Sequence, residues 1–434
     1  MTTKNRRTFG VIAGAVGFAM LLGSCATTST PEESAGPLEA DLRIVWWGSD
    51  QRTAATKQAL EIIEGEYPGI TITGEGSSYE GYFEKFATQL AGGNAPDIIQ
   101  QNLIGPLQQF STQGALLPLD EYFGKELDVS GFEKFIEYGR VGDATYGIPL
   151  TQTTFGTIYN PDKFAELGVD VPEFGWTWDD FESTCEDIVA AAAGSIACSV
   201  DGSFEVFNYE IWHYGRTGKN IYDENGQRQD TPELMTEWFE MWQDFRDKGL
   251  IVPADVQAAH RVGDTPTSPY VLGRAVVTFD YSTNFPAYTP LTGSVAAMTT
   301  SPSSGKNPNN YITPTSLWSI NADSKNPEES LVVINELINN PEIQGVLGMT
   351  RGLPINPVAL EIVTPDLDES GKVVADFIAE LSASDQLRLL QTDLPAGAVD
   401  IEDLYRRTAE DIAFGRVTPE EGAKAFFEQA KRFL

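Results

Sequence analysis

The stretch Asp41–Asp50, Asp-Leu-Arg-Ile-Val-Trp-Trp-Gly-Ser-Asp, constrains this chain more than any other. Leu42, Ile44, Val45, Trp46 and Trp47 favour a strand, and Gly48-Ser49-Asp50 breaks it with turn residues. Across Gln51–Glu66, Ala59, Ile62, Ile63 and Tyr67 then recur at helical spacing until Pro68-Gly69 stops them. Ile70-Thr71-Ile72-Thr73 alternates as a second strand. Tyr82, Phe83, Phe86, Ala87 and Leu90 mark a second helix ended by Gly92-Gly93, and Ile98-Ile99 is a short buried strand behind Pro96-Asp97. The order β-α-β-α-β predicts a parallel sheet with helices on its faces. Ligands of such sheets sit beyond the carboxyl ends of the strands, where Trp47, Ser49 and Asp50 stand.

At 434 residues the chain is too long for one ordinary core and suits two α/β lobes. It changes character at Tyr146-Gly147-Ile148-Pro149, where an extended Thr-rich run, Thr151–Asn160, leads to a helix opened by Pro161. This reads as the crossing into a second lobe with helices at Trp178–Ala193 and Thr231–Lys248. In the latter, Thr231 is the expected N-cap with Pro232 at the first turn, and Leu234, Trp238, Met241, Trp242 and Phe245 form one apolar stripe, a core pattern. Leu291–Tyr311 reads as loop, and Asn326-Pro327 opens a helix that Asn339-Asn340-Pro341 ends, a third crossing. Thr418-Pro419-Glu420-Glu421 is a capping box for the last helix.

Charge and motifs exclude several functions. With 29 basic and 63 acidic residues the chain repels phosphate backbones and anionic headgroups, so no nucleic acid or membrane surface is expected as a partner, and a monomer is expected. His213 and His260 stand alone, no Gly-x-Ser-x-Gly elbow or P-loop is present, and Gly74-Glu75-Gly76 fails at the third glycine of a dinucleotide loop. No metal and no cofactor are expected. So many acids make chance pairs certain, which leaves a secreted carbohydrate hydrolase or lyase using two carboxylates as the second reading.

At the start of the sequence, Lys4, Arg6 and Arg7 precede an apolar run of 15 residues, Phe9–Gly23, too short for a comfortable membrane span but suited to a signal peptide over residues 1–24. Residues 25–40 are small, polar and proline-punctuated, a flexible tether. Cys185 and Cys198 could close a short loop outside the cytoplasm, or remain two buried thiols.

What the chain does offer is aromatic rings beside polar turn residues, the combination that meets the apolar C–H faces and the hydroxyls of a sugar. The candidates are Trp47, Ser49 and Asp50, Tyr79, Gln101 with Asn102, Trp212, Tyr281 with Asn284, and Trp318.

These stretches together resemble the extracellular solute-binding proteins of ABC importers, the carbohydrate-binding family 1 type related to maltose-binding protein. The resemblance is carried by Trp46-Trp47-Gly48 with Arg52, by Tyr67-Pro68-Gly69-Ile70, and by Gly81-Tyr82. It continues through Thr88-Gln89-Leu90-Ala91-Gly92-Gly93-Asn94-Ala95-Pro96-Asp97 and Gly114-Ala115-Leu116-Leu117-Pro118-Leu119 to Ile158-Tyr159-Asn160. Trp318-Ser319-Ile320, Ser324-Lys325-Asn326-Pro327 and Arg351-Gly352-Leu353-Pro354-Ile355-Asn356 complete it. Leu22-Gly23-Ser24-Cys25 likewise looks like a lipobox, which implies that Cys25 is diacylated and anchors the protein to the outer face of the cell membrane. The family resemblance implies a type II periplasmic-binding-protein-like fold, with two lobes and three hinge crossings. Lobe 1 would be 41–148 with 296–340, and lobe 2 would be 149–295 with 341–434. It implies a sugar held in the cleft, Arg351 near it, and delivery to the subunits of an ABC permease without chemistry. Tyr281 stands where many relatives carry tryptophan, which leaves the sugar open.

Overall fold

Ala40–Trp47 is a strand in which Leu42, Ile44, Val45 and Trp46 are all buried, the consecutive run expected of a strand covered on both faces. The structure, a computed structural model, describes residues 38–434 except 80, 104, 224–225, 261–263, 392–393, 396 and 434. The expected signal segment 1–24, Cys25 and the tether up to residue 37 lie outside the described residues.

Ala40–Trp47 pairs in parallel with Ile70–Ser77 on one side and with Ile98–Gln101 on the other. Leu317–Ile320 and then Ile148–Pro149 extend this sheet antiparallel, giving five strands. Trp46 lies opposite Gly76 in the register, and a Cβ at Gly74 or Gly76 would come within 2.8 or 2.9 Å of its indole. The two glycines that fail as a dinucleotide loop make room for a large ring. Asp50–Glu66 and Tyr82–Ala91 are the expected helices, and the Ser49 side chain caps the first.

A second sheet orders its four strands as Ala297–Thr299, Phe155–Tyr159, Ala275–Tyr281 and Ala197–Ser199. Helix Pro232–Asp247 stands in its core, capped by Thr231, with Trp238, Phe239 and Trp242 fully buried. Trp178, Trp212 and Trp242 meet Trp238 at ring separations of 5.6, 5.5 and 5.6 Å, and its Nε1 donates to the Tyr405 hydroxyl at 2.9 Å. The closing helices Ala398–Ala413 and Pro419–Ala430, the second with the expected Thr418–Glu421 capping box, pack on this helix. Cys185 and Cys198 form a disulfide that ties Trp178–Ala191 to Ala197–Ser199.

Between the two sheets in chain order lies a third, of three short strands. Thr151–Thr153 is central, with Thr313–Pro314 and Leu353–Pro354 antiparallel on either side. Ala297–Thr299 pairs with Phe155–Tyr159 in the second sheet, and Thr313–Pro314 pairs with Thr151–Thr153 in the third. Three residues carry no readable alternation, which is why Leu291–Tyr311 reads as loop. Asn339-Asn340-Pro341 ends the helix Pro327–Asn339 as expected, and Pro341 then opens another, Pro341–Leu347: the Asn340 side chain accepts from the backbone N–H groups of Glu342 and Ile343, and proline at the first turn loses no bond. That helix packs on Asp50–Glu66, and the strand Leu353–Pro354 follows it.

Candidate functional site

Two cavities of nearly equal volume draw residues from both large sheets or the segments flanking them. They differ in chemistry.

The first, about 810 Å³, meets Trp47, Arg52 and Gln100 on one side, Ser282 and Thr283 on another, and a wall of Gly345–Leu353. Its arginines are already engaged. Arg52 donates through Nε to the Thr350 carbonyl at 2.9 Å and through Nη1 to the Trp47 carbonyl at 2.8 Å. Arg351 is buried, donates through Nη2 to Thr56 Oγ1 at 2.8 Å, and lies 5.4 Å over the Trp318 ring. Burial, aided by the Arg52 charge, lowers its guanidinium to about 9. Among the described residues Gln100 Nε2, buried here, has no hydrogen-bond partner. Trp47 is the one aromatic residue on its wall; Gln51, Gln152, Thr315, Asp366 and Asp368 add polar side chains, and Gly345–Leu353 adds backbone and aliphatic groups.

The second, about 780 Å³, is walled by rings and polar groups together. Helix Val206–Thr217 presents Phe207 and Glu210 one turn apart, and Ala398–Ala413 presents Ile401, Glu402 and Tyr405. Tyr281, at the carboxyl end of its strand, packs edge-on against Phe155 and Phe207 at 5.1 and 5.5 Å. Helix Pro106–Thr112 supplies Gln108 and Gln109 from the five-stranded side. Arg228 is held by Asp230, with Nε 2.9 Å from Oδ1, and lies 4.9 Å over Phe426. Arg388 lies 4.3 Å over Tyr214 and 5.4 Å over Tyr311. Burial lowers its guanidinium. Glu210 is half-buried, and burial pushes its carboxyl up to about 7, with Arg388 opposing and Glu402 reinforcing the rise. Burial also raises the Tyr281 phenol, with Tyr311 adding to it. Strongly perturbed groups on an aromatic cavity wall are the pattern of a binding site.

The structure does not gather the sequence candidates into one place. Trp47 borders the first cavity and meets Tyr79, Tyr82 and Phe83 at 5.5, 5.2 and 5.7 Å, whereas Tyr281 lines the second. Tyr79 is 52% exposed and accepts a hydrogen bond from Asn102 Nδ2 at 2.9 Å. Ser49 is spent on capping, and Asp50 is an exposed first-turn residue that lines neither cavity. Gln101 is fully buried, with neither amide atom partnered among the described residues and no face on either cavity. Trp212 is a correction: it is 4% exposed, inside the ring cluster around Trp238, because its helix turns that face to the core. Trp318 is a second: it is 2% exposed and lies beneath Arg351, the inward side of a central strand. Asn284 lines neither cavity; its Nδ2 donates to Asp280 Oδ1 at 2.8 Å. Phe207, Glu210, Arg388, Glu402 and Tyr405 line the second cavity and are not among the sequence candidates. Of these only Phe207 and Glu210 carried a signal, a ring and a carboxylate at helical spacing.

Among the described residues no group of three or more His, Cys, Asp or Glu side chains could hold a metal ion. His213 Nδ1 meets the Lys219 carbonyl at 3.0 Å and His260 Nδ1 meets Thr267 Oγ1 at 3.1 Å; neither lines a cavity.

The family model of bacterial extracellular solute-binding proteins matches residues 49–342. The multiple sugar-binding protein of Streptococcus mutans is 28% identical over 201 residues, 44% of this chain and 45% of that protein. The chain spans about half the length of the curated relatives it matches. Among solved structures, a family 1 extracellular solute-binding protein of Alicyclobacillus acidocaldarius superposes with a TM-score of 0.80 at 24% identity, covering 91% of this chain and 98% of that one. A periplasmic oligogalacturonide-binding protein of Yersinia enterocolitica, in complex with saturated digalacturonic acid, gives 0.69 at 22% identity over 90% and 98%.

Proposed function

The chain belongs to the bacterial extracellular solute-binding proteins, and from that membership we propose that it captures a saccharide in the cavity of about 780 Å³ and hands it to an ABC permease. Its fold is the type II periplasmic-binding fold, two α/β lobes joined by three crossings. Members of this family bind solutes outside the cytoplasm and deliver them to transporters. The finer reading, that the solute is a sugar and that no bond is made or broken, is ours.

The observation that carries it is the second cavity's composition. Tyr281 and Phe207 offer ring surface for C–H faces, while Gln109, Glu210, Asn220 and Arg388 offer donors and acceptors for hydroxyls. The multiple sugar-binding relative in Streptococcus mutans and the oligogalacturonide-binding one in Yersinia enterocolitica support the same class. Lobe 1 would comprise about 41–149 with 317–347, and lobe 2 about 155–299 with the closing helices. Thr151–Thr153, Thr313–Pro314 and Leu353–Pro354 would be the hinge. The ligand drives closure only through its higher affinity for the closed state, and roughly 5.5 kcal/mol of difference would take the closed form from 1% to 99%. Cys25, by its lipobox, would carry the anchor.

A panel of mono- and oligosaccharides followed by thermal shift and tryptophan fluorescence tests the reading. A sugar at a hundredfold over its Kd should stabilise the protein by about 2.7 kcal/mol, without product. Turnover would point to a hydrolase or lyase. Silence across the panel would refute sugar capture.

A further inference from the structure

We propose that the saccharide carries a carboxylate, a uronic acid whose acid group is met by Arg388; this rests on reading the cavity of about 780 Å³ as a sugar site. Arg388 is 7% exposed and stands on that cavity's wall. Its Nε donates to the Asn309 carbonyl at 3.4 Å, and its Nη1 to Asn220 Oδ1 and to the Leu389 carbonyl, both at 3.2 Å. Among the described residues Nη2 has no hydrogen-bond partner and no carboxylate lies within ion-pair distance of the guanidinium.

Among the described arginines of its lobe that are largely buried, only this one lacks an ion pair; Arg274, Arg407 and Arg432 lack one too but are exposed to water. Arg228 on the same wall is paired with Asp230, Arg246 with Asp201 at 2.7 Å, and Arg406 with Glu205 at 2.9 Å. A chain with 63 acidic residues has no shortage of partners. Glu210 acts on this guanidinium only from beyond ion-pair distance; a buried guanidinium without an anion in contact is unfavourable, and the Tyr214 and Tyr311 faces offset only part of that. The remaining demand is for an anion that arrives from the cavity. Arg351 also lacks a carboxylate, but its cavity has one aromatic wall residue and offers a sugar little to lie on.

Two terms oppose the proposal. Glu210 and Glu402 face the same space, and the chain's net charge of −34 repels an anion at a distance. Burial pushes the Glu210 carboxyl up to about 7, so near neutral pH about half of it is uncharged and its repulsion of an anion is correspondingly weaker. The long-range field is screened beyond roughly 8 Å in physiological salt, whereas a guanidinium–carboxylate contact acts near 2.8 Å. The short-range term wins.

Calorimetry of the full chain with matched pairs of disaccharides, each a uronic acid and its neutral counterpart of the same ring and linkage, tests this. In at least one pair the acid should bind about tenfold more tightly, and Arg388→Gln should bring the two within about threefold. Equal or tighter binding of the neutral member in every pair overturns the carboxylate inference and leaves the sugar receptor standing. So does a preference that survives Arg388→Gln. Binding of neither member, across gluco, galacto and manno pairs, refutes the sugar reading itself. If the variant does not fold, the pairs measured on the unaltered chain decide.

Discussion

Glu210→Gln should convert a pH-dependent cost into a constant one. Glu210 is half-buried on the cavity wall, facing Arg388, Glu402, Arg228 and Asp230, and burial pushes its carboxyl from 4.5 up to about 7. A carboxyl raised on folding is harder to ionise in the native state than in the unfolded chain. Its cost is therefore absent below about 4.5, grows as pH rises towards 7, and is constant above it. At 1.36 kcal/mol per pH unit the plateau is roughly 3 kcal/mol, and partial access to water brings it to about 2. Glutamine keeps the shape and the amide's hydrogen bonds but carries no charge. Urea melts of both proteins at pH 5, 6, 7 and 8 should show a small difference at pH 5 and a variant more stable by about 2 kcal/mol at pH 8. His260, held down at about 4 by burial, lowers stability as pH falls from 6.5, but it does so in both proteins and cancels. A difference that stays flat from pH 5 to 8, or a wild type more stable at pH 8, refutes the reasoning.

Tyr281→Ala should weaken sugar binding by roughly tenfold or more, since a stacked ring contributes about 1–3 kcal/mol with its area, while the melting temperature moves little; unchanged affinity by calorimetry would remove Tyr281 from the site. Trp212→Ala should do the reverse, with a loss of about 3–5 kcal/mol in a urea melt and sugar affinity held in the folded fraction. Replacing Cys185 and Cys198 together by alanine should cost roughly 3 kcal/mol from loop entropy, read as a lower urea midpoint; no change would mean that the buried helix–strand contact alone fixes this corner.

The parts of this molecule that repeat a pattern were readable before any coordinates. Ala40–Trp47, Asp50–Glu66, Ile70–Ser77 and Tyr82–Ala91 are long enough to show their period, and Thr231-Pro232 and Thr418–Glu421 state their caps outright. The hinge strands were not readable in full. Thr313–Pro314 and Leu353–Pro354 are two residues each, held by partners far away in the chain, and nothing local marks them. The same reason hid Arg388. An arginine's value lies in which acids it lacks, and only the fold shows that Arg228 has Asp230 while Arg388 has tyrosine faces. Trp212 and Trp318 misled for the opposite reason: a tryptophan beside polar residues looks the same in sequence whether its helix or strand turns it inward or outward.

A crystal structure of the chain grown with a saturating saccharide from the panel tests the central claim most directly. The account predicts sugar density against Tyr281 and Phe207, in contact with the helix Pro106–Thr112 on one side and Glu210 on the other. Density lodged instead between Trp47, Gln100 and Gly345–Leu353 would contradict it and move the site to the other cavity.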